Sequence, residues 1–156
     1  MGWLAVVRHG EAGPGRTDRE RRLTPRGEHE AQGAGRWLAA RPELEGAMVW
    51  ASPYDRAQQT AQAVVEATRC DLETVDTITP DDDVDALVER LTALEVSRPL
   101  IIVSHMPLVG ALVGRLVEGS PGAGIAFPTA GIALLEADVW AAGCATSRAF
   151  VGPPHA

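Results

Sequence analysis

Trp3-Leu4-Ala5-Val6-Val7-Arg8-His9-Gly10 reads as a buried strand that ends in a basic tripeptide. Apolar residues run without alternation as far as Val7, which suits a strand covered on both faces, and Gly10 opens the backbone just beyond it. Open α/β sheets bind their ligands at the carboxyl ends of strands, so Arg8 and His9 are expected at the mouth of a site. Taken alone, a histidine here is equally well explained as a solvated loop side chain. Two other segments decide between these readings.

Ser52-Pro53-Tyr54-Asp55-Arg56-Ala57 follows a second apolar run, Met48–Ala51. It predicts a helix from Pro53 to Thr68, with Ser52 as cap and Asp55 completing a capping box, which puts Arg56 in the first turn. Pro99–Val103 is a third apolar run, and Ser104-His105-Met106-Pro107 leads it into another helix. His105 thus stands at the same kind of strand-to-helix junction. Parallel strands bring their carboxyl ends to one sheet edge, so Arg8, His9, Arg56 and His105 are expected to converge on one pocket. Two histidines and at least two arginines suit phosphoryl transfer without metal or cofactor. Arginine forks hold the phosphoryl oxygens bidentately, and a neutral imidazole is a competent phosphoryl acceptor near neutral pH. His9 is the expected nucleophile. His105, protonated by anionic surroundings, is expected to stabilise a phosphoryl oxygen.

With these residues in view, the chain resembles the histidine phosphatase superfamily, the phosphoglycerate mutase-like group, whose Arg-His-Gly signature stands at Arg8, His9 and Gly10. Ser52–Ala57 with Gln59-Thr60-Ala61 is similar to the family's second arginine segment, and Val103-Ser104-His105 to its second histidine segment. Arg21-Arg22-Leu23-Thr24-Pro25-Arg26-Gly27 matches the place where the family carries a further phosphate-binding arginine, and the alignment favours Arg21 over Arg22. Arg8–Ala12, Leu23–Gly27, Ser52–Thr60, Thr79–Pro80 and Ser104–Gly110 resemble the family's phosphohistidine phosphatases in order and spacing. The resemblance implies a hydrolase acting on a phosphohistidine-bearing protein of a phosphorelay. Relatives acting on small phosphoesters carry an acidic proton donor on an insertion before the second histidine, and that interval is short here. An alkoxide needs such a donor, whereas imidazole can leave as a neutral ring once its other nitrogen is protonated. The candidate donors are Asp81, Asp82 and Asp83, and Glu11. The aspartates are read first as a helix cap, because Val84, Leu87, Val88, Leu91 and Leu94 follow at helical spacing. A small-molecule phosphomonoesterase and a non-catalytic phosphate-binding module stay open as alternatives. Thr129 lies where the family brings a loop toward the phosphate; its plain reading is a turn residue.

The 156 residues suit a single domain, which at this length buries roughly two-thirds of its unfolded surface. All fourteen basic residues are arginine; nine lie in residues 1–60 against eight acids, and the remainder carries five against thirteen. The net charge of −7, without a basic stripe, argues against a nucleic-acid partner. Arg16, Arg19, Arg21, Arg22 and Arg26 could frame the pocket entrance or form a solvated loop. Cys70 and Cys144 show neither metal spacing nor a disulfide framework, and no run approaches membrane-spanning length, so the expected setting is cytoplasmic.

The expected fold is α/β: three layers around a mainly parallel sheet with an antiparallel edge. The remaining expected elements are helix Pro25–Ala40 capped by Thr24, strand Glu73–Ile78, helix Val84–Leu94, and helix Pro107–Val117. A closing hairpin is expected from Gly131–Ala137 and Thr146–Val151. His29 is read as a surface residue, the tryptophans Trp3, Trp37, Trp50 and Trp140 as packing, and residues 152–156 as a frayed tail in which His155 plays no part.

Overall fold

The computed structural model describes residues 1–155. Four strands, β1 (Gly2–Arg8), β2 (Met48–Ala51), β3 (Asp71–Thr74) and β4 (Leu100–Ser104), run parallel, and β5 (Ile132–Ala137) and β6 (Thr146–Val151) add a hairpin. The spatial order is β3-β2-β4-β1-β5-β6. β5 runs against β1 and β6 against β5, so the hairpin supplies the expected antiparallel edge.

Strand residues alternate between two cores. Leu4, Val6, Trp50 and Ile102 face the layer of helices α3 (Val84–Thr92) and α4 (Leu108–Glu118), packing against Leu87, Leu91, Leu112 and Leu116. Ala5, Val7, Val49 and Ile101 face α1 (Pro25–Ala39) and α2 (Asp55–Thr68), packing against Ala34, Leu38, Ala57 and Val64. Burial on both faces is why these strands read as unbroken apolar runs. The α1 and α2 backbones approach closely at Gly35, where a Cβ would lie 2.8 Å from the Ala63 carbonyl oxygen. Thr24 caps α1 as expected, its hydroxyl accepting from the Gly27 N–H at 3.0 Å.

The element ends shift by a residue or two at several places, and three departures from expectation are larger in consequence. Strand β3 spans Asp71–Thr74 rather than Glu73–Ile78, because it pairs only with the four residues of β2; Ile78 leaves the sheet and is buried in the core. Helix α2 begins at Asp55 after Tyr54, and Ser52 serves a histidine instead of capping it. The tail also departs from the frayed reading as far as His155; Ala156 lies outside the described residues. His155 Nε2 hydrogen-bonds the Ala130 carbonyl at 2.8 Å, and the Ala130 N–H donates to the His9 carbonyl at 2.9 Å. Among the described residues, no helix is long and apolar enough to cross a membrane.

Loss of this contact in His155→Ala should cost about 1 kcal/mol, the usual net worth of a hydrogen bond. Urea unfolding of the two forms checks this; identical midpoints would restore the frayed tail.

Candidate active site

The sheet register assembles the site. Arg8 of β1 lies opposite Ser104 of β4, and the His9 N–H donates to the Ser104 carbonyl at 3.0 Å. The next residues along both strands are therefore the two histidines, whose ring centroids are 5.1 Å apart. On the other side of β4, Ala51 of β2 lies opposite Val103, and the Ser52 N–H donates to the Val103 carbonyl at 3.1 Å. Ser52 Oγ reaches His105 Nε2 at 2.7 Å. Arg56, in the first turn of α2, brings its Nε to 3.3 Å from His9 Nε2.

The protonation pattern of His9 follows from its neighbours. Its Nδ1 lies 2.7 Å from the Gly10 carbonyl oxygen, which only accepts, so Nδ1 carries the proton. Arg56 Nε only donates, so Nε2 presents its lone pair. The Gly10 peptide that orients this ring is itself pinned. Its N–H donates to the buried Thr60 hydroxyl at 3.0 Å, and that hydroxyl donates to the Arg56 carbonyl at 2.8 Å. Gly10 also crosses the start of α1 so closely that a Cβ would sit 2.5 Å from the Gly27 carbonyl oxygen. Residue 10 must therefore lack a side chain to let the strand end meet the helix.

Both histidines are neutral at pH 7. Burial, with Arg56, Arg8 and Arg21 nearby, lowers His9 to about 4 against the upward pull of the Gly10 carbonyl. Burial, then His9 and Arg56, lower His105 to about 3. This corrects the expected protonated His105, because burial and the neighbouring cations outweigh the upward pull of Asp18. A neutral His105 has a single N–H to offer.

The arginines arrive from three elements. Arg56 is 4% exposed, and its two terminal nitrogens contact Asp18: Nη1 donates to the main-chain carbonyl at 2.6 Å and Nη2 to Oδ2 at 3.3 Å. Arg21 is half-buried, with its Nε on the Gly13 carbonyl at 2.9 Å and Nη1 on Asp18 Oδ1 at 3.3 Å. Arg22 is exposed and stands 3.7 Å from Asp55, so Arg21 is the member of the pair turned toward the histidines' neighbourhood. Arg8 donates from Nη1 to the Phe127 carbonyl at 2.7 Å, leaving its buried Nε without a partner. Burial and the Arg56 charge lower its pKa, against a raising pull from Glu30.

Asp18 escaped the sequence reading. It sits in the arginine-rich loop with no motif to mark it, yet its carboxylate bridges Arg56 and Arg21. Burial raises its pKa, but the two guanidinium groups outweigh that and hold it below the usual value. Glu30 was missed as well. It is buried in α1, and one carboxylate oxygen accepts from the Glu11 N–H and the Thr129 hydroxyl, both at 2.9 Å. Thr129 is thus tied to α1. Its spacing within an amphipathic helix gave Glu30 no distinguishing signal.

The acid candidates fall into other duties. Asp82 accepts from the Thr79 N–H at 2.7 Å and hydroxyl at 2.6 Å, and Asp83 caps α3 through the Asp85 and Ala86 N–H groups. Asp81 is exposed. Glu11 accepts from the Thr24 hydroxyl at 2.8 Å beside the α1 cap. Among the described residues, no group of three or more His, Cys, Asp or Glu side chains is arranged to hold a metal ion. Both cysteines are free, Cys70 buried and Cys144 exposed.

Residues 4–79 match the family model of the histidine phosphatase superfamily, branch 1. The chain is 34% identical over 120 residues to the phosphohistidine phosphatase SixA of Escherichia coli, covering 73% of each sequence. It is 35% identical over 126 residues to the SixA homolog of Haemophilus influenzae, covering 72% of this chain and 76% of that one. Among solved structures, the protein histidine phosphatase SixA complexed with tungstate superposes with a TM-score of 0.87 at 30% identity, covering 97% of both chains. An alpha-ribazole-5'-P phosphatase of Escherichia coli, described as putative, shares the fold at a TM-score of 0.78 and 18% identity, over 95% of this chain and 96% of that one. With its strand-end histidines, its arginines and these relatives in agreement, the chain belongs to the histidine phosphatase superfamily.

Proposed function

We propose that this protein hydrolyses phosphohistidine on a partner protein, a phosphotransfer domain of a phosphorelay, through a phosphohistidine intermediate at His9 and without a metal. The observation that carries the reading is the neutral His9 ring, its Nδ1 proton on the Gly10 carbonyl and its Nε2 lone pair facing the Arg56 guanidinium. Likeness to SixA, named as a phosphohistidine phosphatase, supports the substrate class.

In the first step His9 Nε2 bonds to phosphorus as the phosphorus–nitrogen bond of the substrate breaks. The departing imidazole keeps the bonding pair on that nitrogen and leaves as a neutral ring once its other nitrogen has taken a proton from solvent. Arg8, Arg21 and Arg56 hold the phosphoryl oxygens, and His105 adds one neutral N–H. In the second step water oxygen bonds to phosphorus, the pair returns to His9 Nε2, and the protons of water end on inorganic phosphate and solvent. Neither step demands a strong general acid. That fits a site in which Asp82, Asp83 and Glu11 are occupied with turns and caps. A cytoplasmic setting fits the two free cysteines.

Turnover of wild type and His9→Ala on a phosphohistidine-bearing phosphotransfer protein, beside a panel of phosphomonoesters, tests the reading. Wild type should favour the phosphoprotein, His9→Ala should lose at least about a thousandfold in rate, and EDTA should leave wild type unchanged. Preference for a small ester would move the chain to the phosphomonoesterase alternative, and tight binding without turnover to the binding module.

The pH profile gives an independent check. Because His9 must be neutral to attack and its pKa is lowered to about 4, kcat/KM corrected for substrate ionisation should stay flat from pH 7.5 down to about pH 5. A fall centred near 6.5, the value of an ordinary histidine, would contradict a buried neutral nucleophile.

Asp18 holds the guanidinium edges that the phosphoryl group needs, so substrate must displace it. Asp18→Asn should therefore tighten tungstate binding by roughly fivefold, the scale of about 1 kcal/mol for a partly solvated ion pair. Weaker binding in that variant, measured by calorimetry, would instead make Asp18 a support that keeps Arg56 in place.

A further inference from the structure

We infer that the Ser52 hydroxyl sets the tautomer of His105, placing its one proton on Nδ1, where it faces no protein acceptor and serves the phosphoryl group. This deepens the proposed phosphatase reading and rests on it for the identity of the acceptor.

Hydrogen counting carries the inference. Ser52 Oγ and His105 Nε2 are 2.7 Å apart, both residues are at most 1% exposed, and Oγ also lies 3.3 Å from the Tyr54 N–H. Suppose His105 carried its proton on Nε2 and donated it to Ser52. The serine hydroxyl, already accepting from Tyr54, would then have a buried hydrogen with no acceptor in reach, and His105 Nδ1 would bury an unused lone pair. Two polar groups would be orphaned. Suppose instead that the Ser52 O–H donates to Nε2. The hydroxyl then both donates and accepts, and the single unmet group is the Nδ1–H of His105. Unpaired buried donors are costly, so the second arrangement prevails.

The remaining orphan points to function. His105 is wedged between the Tyr54 ring at 5.0 Å and the His9 ring at 5.1 Å, so a phosphoryl group on His9 is the acceptor the reaction brings beside it. Burial and the nearby cations keep His105 neutral, so it cannot offer a proton from both nitrogens. In the wrong tautomer it would present a lone pair to an anionic oxygen. Ser52 is therefore a positioning residue, acting on the phosphate only through His105. Its place ahead of Pro53 resembles a helix cap in sequence, which conceals this role.

Nitrogen-15 NMR of the imidazole rings tests the assignment directly. In the wild-type protein His105 should show a pyrrole-type Nδ1 and a pyridine-type Nε2; the reverse pattern overturns the inference without any variant. In Ser52→Ala the preference should weaken toward a mixture of tautomers, with kcat down about tenfold and KM little changed, while Ser52→Thr, which keeps the hydroxyl, should retain the wild-type ring pattern. An unchanged ring pattern in a folded Ser52→Ala also overturns it. Should wild type turn over no phosphorylated substrate, the phosphatase reading fails, and the ring spectra still decide the tautomer.

Discussion

The parallel pairing of β1 with β4, with Arg8 opposite Ser104, puts two histidines side by side at one edge of the sheet. A shift of one residue would send every side chain of β1 to the opposite face and carry His9 away from His105. That register is enforced from both sides, because Leu4 and Val6 belong to one core and Ala5 and Val7 to the other. Hydrophobic burial thus fixes the chemistry's geometry. The same pairing carries over to β2, whose Ser52 arrives beside His105 through its own bond to Val103.

The site gathers arginines within a chain that is acidic overall. A net charge of −7 would repel an anionic substrate at long range, but screening at physiological salt limits that field to about 8 Å. Inside that distance Arg8, Arg21 and Arg56 dominate. Burial first, and then the neighbouring charges, lower the Arg8 pKa and keep both histidines neutral. The pocket is electrostatically unsatisfied, and a phosphoryl dianion would relieve it. Asp18 supplies part of that relief meanwhile, from a loop whose exposure leaves it easy to displace.

Much of this was legible in the sequence because strand ends are marked by composition. Trp3–Val7, Met48–Ala51 and Leu100–Val103 are apolar runs broken by polar residues, and those polar residues meet in the candidate site. Four side chains predicted to converge do so. What sequence could not convey was electrostatic context: a histidine expected to be charged by anionic neighbours proved to lie among arginines and apolar walls. Nor could it show that a serine before a proline would leave capping to the backbone and turn to a histidine 53 residues away. Asp18 meets Arg56, and Glu30 meets Glu11 and Thr129, across long stretches of sequence, and neither a spacing nor a motif sets them apart from the chain's other carboxylates. The tail's contact was hidden for the same reason, since His155 meets Ala130, a partner 25 residues earlier.

The central claim is that His9 Nε2 takes the phosphoryl group. Rapid quench into base after mixing with a radiolabelled phosphohistidine protein, followed by peptide mapping, measures this most directly. The account predicts acid-labile, base-stable phosphate on the peptide containing His9, absent in His9→Ala and hydrolysed at the rate of turnover. Efficient turnover with no label on His9, or label on His105 instead, would contradict it.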